Sequence, residues 1–305
     1  MPRYRSALPQ LGDQLFLTDG GLETTLIFHR GIELPDFASF HVLRSPGGEE
    51  LVRDYFRAYA EIARRHGTGL ILDTLTWRAS TDWVSRCGLS PADFIDIQQR
   101  AVQVLADLRD EFAPLPTVVS GCIGPRGDGY VPAAMMSVRN AEAYHQTQID
   151  ALAETDADML CAMTLNYVEE AVGIVHAARR AEMPVAISFT VETDGRLPDG
   201  TTLQEAVTRL EESDAPDGFV VNCAHPTHIA PGLESGAWLS RIVQVNPNAS
   251  TQSHAELDAA EELDTGDVGL LRSSYDALRP ALPGLRVVGG CCGTDASHVA
   301  ALWGV

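Results

Sequence analysis

The residues best suited to chemistry in this sequence are three cysteines that lie beside glycines. Cys291 and Cys292 are adjacent within the run Gly289-Gly290-Cys291-Cys292-Gly293, and Cys223 ends the run Phe219-Val220-Val221-Asn222-Cys223. Adjacent thiolates can share a metal ion if the backbone turns sharply, which flanking glycines permit. Thiolates suit zinc, and three protein ligands leave a fourth position open, as in catalytic zinc sites. We therefore predict a zinc site at Cys223, Cys291 and Cys292; the alternative is that they are buried apolar cysteines.

A zinc ion held by three thiolates is better suited to binding a fourth sulfur than to making hydroxide. A substrate thiol that binds there loses its proton. The resulting thiolate stays nucleophilic at neutral pH, where a free thiol with a pKa of about 8.5 is mostly protonated. Zinc has no redox chemistry, which disfavours electron transfer. The cysteines therefore predict alkylation of a thiol. The other three cysteines, Cys87, Cys122 and Cys161, are interpreted as packing residues.

Eight short aliphatic runs alternate with longer amphipathic runs, and these runs are the predicted strands and helices. The predicted strands are Leu15–Thr18, Gly69–Asp73, Thr117–Ser120, Met159–Ala162, Val185–Phe189, Gly218–Val221, Ile242–Val245 and Arg286–Val288. The predicted helices are Glu49–His66, Pro91–Phe112, Val138–Glu154, Tyr167–Ala181, Thr202–Glu212, Thr265–Leu278 and Thr294–Leu302, with Ser90 and Thr294 as N-caps. This alternation predicts an α/β fold, a single (β/α)8 TIM barrel over residues 1–305, with a doubly wound open sheet as the alternative.

A barrel gathers functional residues at the C-terminal ends of its strands. Cys223 follows the sixth predicted strand, and Cys291 and Cys292 follow the eighth. Since only one strand separates these two, their side chains can converge. The zinc site is therefore expected at the C-terminal mouth of the barrel.

The composition excludes several classes of partner. A formal net charge of -20 argues against nucleic acid and against an anionic membrane surface. No apolar run approaches the ~20 residues of a membrane helix, and the first ten residues lack the apolar core of a secretory signal. We expect a cytoplasmic protein whose cysteines are free thiols, acting on a small-molecule thiol. The oligomeric state stays open, a homo-oligomer included.

Several motifs together resemble the homocysteine S-methyltransferase family. The most specific are Thr18-Asp19-Gly20-Gly21, Asn222-Cys223 and the double-cysteine run, and the resemblance extends from about Phe16 to Leu302. It implies a (β/α)8 barrel and zinc held by the three cysteines. It also implies homocysteine as acceptor, methionine as product, and a sulfonium or betaine-type compound as methyl donor.

The first strand ends in a motif that can bind an amino acid. The backbone N–H groups of Gly20 and Gly21 can form a nest for a carboxylate, and Asp19 can then meet an ammonium. The alternative is a tight turn in which Asp19 caps the next segment. In the family this motif lines the amino-acid pocket, so the resemblance implies that Asp19, Gly20, Gly21 and also Thr164 contact the substrate.

One residue departs from the family pattern. The family usually has a Glu-Thr pair after the fourth strand, where its Glu contacts the amino group of homocysteine, but this chain has Met163-Thr164. A thioether cannot accept a strong charge-assisted hydrogen bond. Either Asp19 holds the ammonium alone, or the acceptor is a different small thiol.

Other interpretations remain open. Trp77 and Trp83 could hold a donor sulfonium by cation–π attraction or could simply pack in the core. His225 and His228 could ligate a metal or lie in a loop. A zinc hydrolase of the barrel type would use His and carboxylate ligands, and we find no such set in the sequence. A zinc protein without turnover is the remaining alternative.

Overall fold

The protein is a closed barrel of parallel strands surrounded by helices. The computed structural model describes residues 1–132 and 134–304. Within them, each strand pairs with the next, and the last pairs with the first. The strands are β1 Phe16–Leu17, β2 Gly69–Asp73, β3 Thr117–Ile123, β4 Met159–Leu165, β5 Val185–Phe189, β6 Gly218–Asn222, β7 Ile242–Asn246 and β8 Val287–Val288. The predicted TIM barrel is confirmed, and the open-sheet alternative is wrong because β8 closes on β1.

The helices lie between successive strands and pack on the outside of the barrel. They are α1 Leu22–Thr24, α2 Gly48–His66, α3 Thr81–Arg86, α4 Pro91–Glu111, α5 Val138–Ala153, α6 Val168–Arg180, α7 Leu203–Ser213, α8 Pro226–Ile229, α9 His254–Asp258, α10 Val268–Leu278 and α11 Ala296–Trp303. In the described part of the chain, no helix is both long and apolar enough to cross a membrane.

Of the two predicted N-cap residues, one caps its helix and the other does not. Ser90 caps α4, since its side chain accepts a hydrogen bond from the backbone N–H of Asp93. Thr294 does not cap α11; Asp295 does, by accepting from the backbone N–H groups of Ser297 and His298. The hydroxyl of Thr294 instead donates to the carbonyl of Cys291 at 2.6 Å and accepts from the backbone N–H of Gly21 at 3.2 Å. A threonine that reads as a cap in the sequence therefore stabilises the cysteine loop.

Apolar side chains fill the barrel interior. Phe16, Ile71, Val118, Val220 and Val287, one from each of five strands, form a buried cluster. The cluster also contains two of the predicted packing cysteines, Cys122 and Cys161. The barrel is therefore a packed core rather than a pore, and a substrate must bind at its mouth.

The N-terminal segment is tied to the opposite end of the barrel by one buried carboxylate. Asp158 precedes β4 and is fully buried. It accepts hydrogen bonds from the backbone N–H groups of Arg3, Tyr4 and Val119, at 2.6, 2.8 and 3.0 Å. It also forms an ion pair of 3.2 Å with the buried guanidinium of Arg109. Because four groups converge on it, this carboxylate holds the first residues against the β-strands.

Candidate metal centre and substrate cavity

The structure brings Cys223, Cys291 and Cys292 together at the mouth of the barrel. Cys223 directly follows β6, and the other two lie just after β8. Their three sulfur atoms lie within 4.8 Å of one another. Cys223 and Cys291 are joined by a disulfide, and the Sγ of Cys292 lies 3.8 Å from that of Cys223. The expectation of free thiols is therefore wrong for two of the three, because their Cα atoms, 5.3 Å apart, lie within the distance that a disulfide requires.

The same three sulfurs fit a metal ion once the disulfide is reduced. Tetrahedral zinc with Zn–S bonds of about 2.3 Å separates two sulfur ligands by roughly 3.8 Å. This is the observed distance between Cys223 and Cys292. Burial raises the pKa of Cys292 to about 11, so a thiolate there requires a nearby cation. The donor set and its burial both favour a thiolate-bound metal.

The backbone of Cys223 is held in an uncommon conformation by its neighbours. Its φ is 54°, in the left-handed region that favours glycine. Its carbonyl oxygen accepts hydrogen bonds from His254 Nε2 at 2.5 Å, Asn248 Nδ2 at 3.1 Å and Thr190 Oγ1 at 3.4 Å. Its N–H donates to the carbonyl of Asn246 at 3.1 Å. These four hydrogen bonds fix the direction of the Cys223 side chain.

Two glycines allow the first and last βα loops to touch. A Cβ atom on Gly289 would lie 2.6 Å from the carbonyl oxygen of Asp19, and one on Gly21 would lie 2.8 Å from that of Cys291. Neither contact is tolerable for a real side chain, and both involve backbone atoms. The glycines thus bring the Asp19 motif against the cysteine loop.

Asn222 connects two other strands, β4 and β5, to the cysteine site. Its Oδ1 accepts hydrogen bonds from the backbone N–H of Thr164 at 3.0 Å and from Ser188 Oγ at 2.6 Å. Its Nδ2 donates to Thr164 Oγ1 at 2.8 Å and lies 3.7 Å from the Sγ of Cys291. Thr164 has a φ of 62°, and the pairing of β4 with β5 shifts register between Ala162 and Leu165. The side chain of Asn222 therefore takes over a backbone hydrogen bond at this irregularity and holds Thr164 at the mouth.

The cysteines form one wall of a cavity of about 420 Å³. A cavity of this volume suits a small molecule. The residues predicted to contact substrate all line it, as does Met163; the predicted set is Asp19, Gly20, Gly21 and Thr164. The structure thus places the predicted metal and substrate residues around a single cavity.

Two carboxyl groups meet in the floor of this cavity. The hydroxyl of Thr18 lies 3.1 Å from Asp19 Oδ1 and 3.4 Å from Asp73 Oδ2, and Tyr55 donates to Asp19 Oδ2 at 3.0 Å. Burial raises the pKa of Asp19 well above its ordinary value, and the neighbouring Asp73 raises it further. Burial also raises the pKa of Asp73 to about 6. Among the described residues Asp73 Oδ1 has no hydrogen-bond partner, so this pair of acids is suited to a bound cation.

The predicted glycine nest has fewer available backbone N–H groups than the sequence suggests. The N–H of Gly21 already donates to the carbonyl of Thr294 at 3.0 Å. Among the described residues the N–H of Gly20 makes no hydrogen bond to a backbone carbonyl, although the neighbouring hydroxyl of Tyr59 can accept from it. Of the pair, only Gly20 has an N–H group that is not already donated to a backbone carbonyl.

Comparison with known proteins identifies the family. The profile of homocysteine S-methyltransferase matches residues 16–304. The chain belongs to the homocysteine S-methyltransferase family. A Bacillus subtilis homocysteine S-methyltransferase, YbgG, is 26% identical over 93% of this chain and 92% of its own. An Escherichia coli homocysteine S-methyltransferase is 26% identical over 94% of each chain.

The fold agrees with a solved structure of an enzyme named for the same reaction. The oxidised form of the Escherichia coli homocysteine methyltransferase MmuM superposes with a TM-score of 0.77 and 24% identity, covering 99% of both chains. Its metallated form gives a TM-score of 0.73 and 23% identity, over 95% of this chain and 96% of that one. The predicted family, its S-methyltransferase class and its barrel are all confirmed.

Several residues of this homocysteine S-methyltransferase cavity are not among those predicted. Asp73, Arg78, Asn222 and His254 line it, and Tyr130 places its hydroxyl 3.8 Å from the Sγ of Cys292. The sequence does contain a signal for Asp73, because this residue lies at the C-terminal end of β2, much as Asp19 lies just after the end of β1. His254 lies in α9, beyond the end of β7, and no spacing in the sequence indicates that it reaches Cys223.

The tryptophans and histidines also have defined places. The guanidinium of Arg78 lies over the rings of Trp77 and Trp83, at 4.3 and 4.0 Å. These indoles therefore stack on a cation of the chain itself. His225 caps α8 by accepting from the N–H of Thr227, and the group of residues that could hold a metal in the described chain contains only the three cysteines.

Proposed function

We propose that this chain transfers a methyl group from a sulfonium or betaine-type donor to the thiol of homocysteine, giving methionine, and that it depends on zinc. The observation that carries the proposal is the convergence of three cysteine sulfurs within 4.8 Å on the wall of a cavity that also contains the carboxyl groups of Asp19 and Asp73. The existence of a metallated form of MmuM agrees with a metal at this position.

Cys223, Cys291 and Cys292 would hold the zinc ion. When bound, zinc supplies a Lewis acid that lowers the pKa of a coordinated thiol, which makes that sulfur nucleophilic at neutral pH. Asn222 and Tyr130 lie 3.7 and 3.8 Å from the cysteine sulfurs and can donate hydrogen bonds to thiolates. These two residues orient the cysteine side chains.

The remaining contacts would orient homocysteine. Its carboxylate would accept from the N–H of Gly20, and its ammonium would lie between Asp19 and Asp73. An ammonium has three N–H donors and can satisfy both acids, including the unpaired Oδ1 of Asp73. Asp73 thus supplies the second carboxylate that Met163 cannot supply. This arrangement favours homocysteine over a thiol without an amino group.

The transfer itself is a displacement at the donor methyl carbon. An electron pair of the acceptor sulfur forms the new S–C bond while the bond from the methyl carbon to the donor sulfur or nitrogen breaks. The donor leaves as a neutral thioether or amine, and the thiol proton passes to solvent. The protein contributes orientation of the two reactants, and its acidic lining favours a cationic donor.

Methyl transfer by the reduced, zinc-loaded protein tests this proposal. The donors are S-methylmethionine and glycine betaine; the acceptors are homocysteine and 4-mercaptobutyrate, which lacks only the amino group. We expect methionine to form with at least one donor, and kcat/KM to favour homocysteine by about 10²-fold, the contribution of a charged hydrogen bond. A preference for 4-mercaptobutyrate would support the alternative thiol acceptor. Absence of product from every pair would indicate a zinc protein without turnover.

The acid pair predicts a pH dependence. Because ionised Asp73 binds the ammonium and its pKa is about 6, kcat/KM for homocysteine should fall as the pH is lowered through 6. In Asp73→Asn this decrease should disappear, and KM at alkaline pH should rise about 10- to 100-fold. Initial rates from acidic to alkaline pH measure both. With 4-mercaptobutyrate as acceptor the variant and the parent should behave alike.

The stability of the same variant separates binding from folding. A raised pKa in the fold means that the neutral carboxyl is favoured there. Its contribution to stability is full below the ordinary value of 3.8 and is lost as the pH rises through about 6. Asp73→Asn should therefore not lower the free energy of unfolding at alkaline pH, and a clear decrease would contradict a substrate-binding role.

The disulfide makes zinc binding depend on reduction. Since Cys223 and Cys291 cannot act as thiolates while they are bonded to each other, protein with the disulfide intact should hold little zinc. Reduction with a phosphine should allow about one zinc ion per chain to bind. Thiol titration and metal analysis of the same samples measure this. Equal zinc content before and after reduction would contradict this ligand set.

A further inference from the structure

Arg78 places a buried positive charge in the wall of the substrate cavity. Its residue surface is only 8% exposed, and it lines the cavity with Asp19 and the cysteines. The rings of Trp77 and Trp83 cover its guanidinium. Stacking on the planar faces leaves only the N–H groups at the edge free to bind.

Most of those N–H groups have no hydrogen-bond partner among residues 1–132 and 134–304. One terminal nitrogen donates to the carbonyl of Gly127 at 2.7 Å, while Nε is buried without any acceptor among the described residues. In the described part of the chain no carboxylate lies within 4.0 Å of this guanidinium. The nearby carboxylate of Asp128 is engaged elsewhere, by the backbone N–H groups of Tyr130 and Val131.

A second buried arginine shows the usual arrangement. Arg109 is 3% exposed and forms an ion pair with Asp158, which is fully buried. Burying a charge is costly unless a counter-charge accompanies it. Arg78 is buried almost as completely, but no described carboxylate forms an ion pair with it, and Asp128, Asp36 and Glu23 act on its charge only from a greater distance. The unpaired N–H groups at the edge of its guanidinium are therefore free to bind an anion from outside the chain.

The position of Arg78 indicates which substrate would bring the anion. Arg78 and Tyr130 line the same cavity, and the hydroxyl of Tyr130 lies 3.8 Å from the Sγ of Cys292. The guanidinium of Arg78, which follows β2, therefore shares this cavity with the sulfur cluster. The proposed acceptor occupies the β1 side, at Gly20 and Asp19.

We propose that Arg78 binds the carboxylate of the methyl donor and so makes the enzyme specific for donors that carry both an onium group and a carboxylate. This inference rests on the proposed function, which assigns the acceptor carboxylate to Gly20. The other charged side chains that line the described cavity are mostly acids and suit the onium group; they are Asp19, Glu23, Asp73, Asp128, Asp258, Glu262 and Asp264. A guanidinium and a carboxylate can form two parallel hydrogen bonds, which fixes the donor's orientation.

Binding of donors and their methyl esters tests this role. Calorimetry on the reduced, zinc-loaded protein would use glycine betaine, S-methylmethionine and the methyl ester of each. We expect the parent protein to bind each acid about 100-fold more tightly than its ester, as expected for a charge-assisted hydrogen-bond pair. In Arg78→Gln the acid and the ester should bind equally weakly, and Arg78→Lys should recover part of the difference.

Arg86 provides the matched control. Its guanidinium also stacks on Trp83, at 4.4 Å, but its side chain is 61% exposed and does not line the cavity. Arg86→Gln removes the same charge and should leave both affinities unchanged. If Arg78→Gln weakened the acid and the ester equally, Arg78 would be a packing residue. If it weakened only homocysteine binding, the carboxylate would belong to the acceptor; either result overturns the proposal.

The outcome is separable from that of the proposed function. If no donor is turned over and yet the acid-against-ester difference depends on Arg78, the methyl-transfer proposal fails and the anion site stands. If methyl transfer occurs and Arg78→Gln leaves KM for both donors unchanged, the anion site fails alone. Melting temperatures of all variants would show whether each is folded.

Discussion

Replacing Cys291 with serine is expected to abolish zinc binding and to lower methyl transfer by about 10³-fold or more. A serine hydroxyl is a poor substitute for thiolate in a sulfur site, and a lost Lewis acid costs several kcal/mol of activation. The same change prevents the Cys223–Cys291 disulfide, so the variant cannot be inactive because that disulfide has formed. Zinc content and initial rates on the same sample measure both effects.

Cys87→Ser is the control for this substitution. Cys87 is a partly exposed free cysteine outside the cavity, so its replacement should change neither zinc content nor rate. Activity of Cys291→Ser without bound metal would contradict the zinc-dependent mechanism. Full zinc binding by Cys291→Ser with loss of activity would instead indicate a metal site elsewhere.

The largest effect on stability is expected at Asp158. Asp158→Asn would leave the buried guanidinium of Arg109 without its counter-charge and weaken the hydrogen bonds from Arg3, Tyr4 and Val119. Breaking a buried pair by removing one partner costs about 3–5 kcal/mol. Urea unfolding at neutral pH would measure the decrease in the free energy of unfolding.

A neighbouring acid serves for comparison. Asp156 pairs with the amino group of Met1, but its side chain is 38% exposed. Asp156→Asn should lower the free energy of unfolding by no more than about 1 kcal/mol, the usual limit for an exposed pair. Equal effects at the two positions would show that burial of Asp158 adds nothing to stability.

The sequence allowed the barrel and the convergence of the three cysteines to be predicted because both depend on strand ends. Each predicted strand lies within two residues of an observed strand at its start, and Cys223 and Cys291 follow β6 and β8 as expected. The strand-end rule would also have selected Asp73, but no motif singled it out. It becomes visible as a substrate residue only when Thr18 and Asp19 are placed beside it.

The rest of the site depends on contacts that sequence periodicity does not describe. His254 and Asn248 reach Cys223 from the segment after β7, and Asn222 reaches Thr164 across the barrel mouth. The expectation of free thiols depended on a reducing cytoplasm. The disulfide depends instead on how closely the loop after β6 approaches the loop after β8. The sequence predicts Thr294 as a cap because its hydrogen bond to the carbonyl of Cys291 is a tertiary contact that local spacing does not indicate.

The left-handed backbone conformation of Cys223 lowers the stability of the fold at a position that the proposed activity requires. A non-glycine residue in such a conformation costs of order 1–3 kcal/mol, and asparagine or glycine adopts it more readily than cysteine does. An experiment that selects only for thermal tolerance should therefore enrich glycine or asparagine at residue 223, with loss of the sulfur. Under the proposed mechanism a thiolate must project from this point, so stabilising designs should leave this residue unchanged.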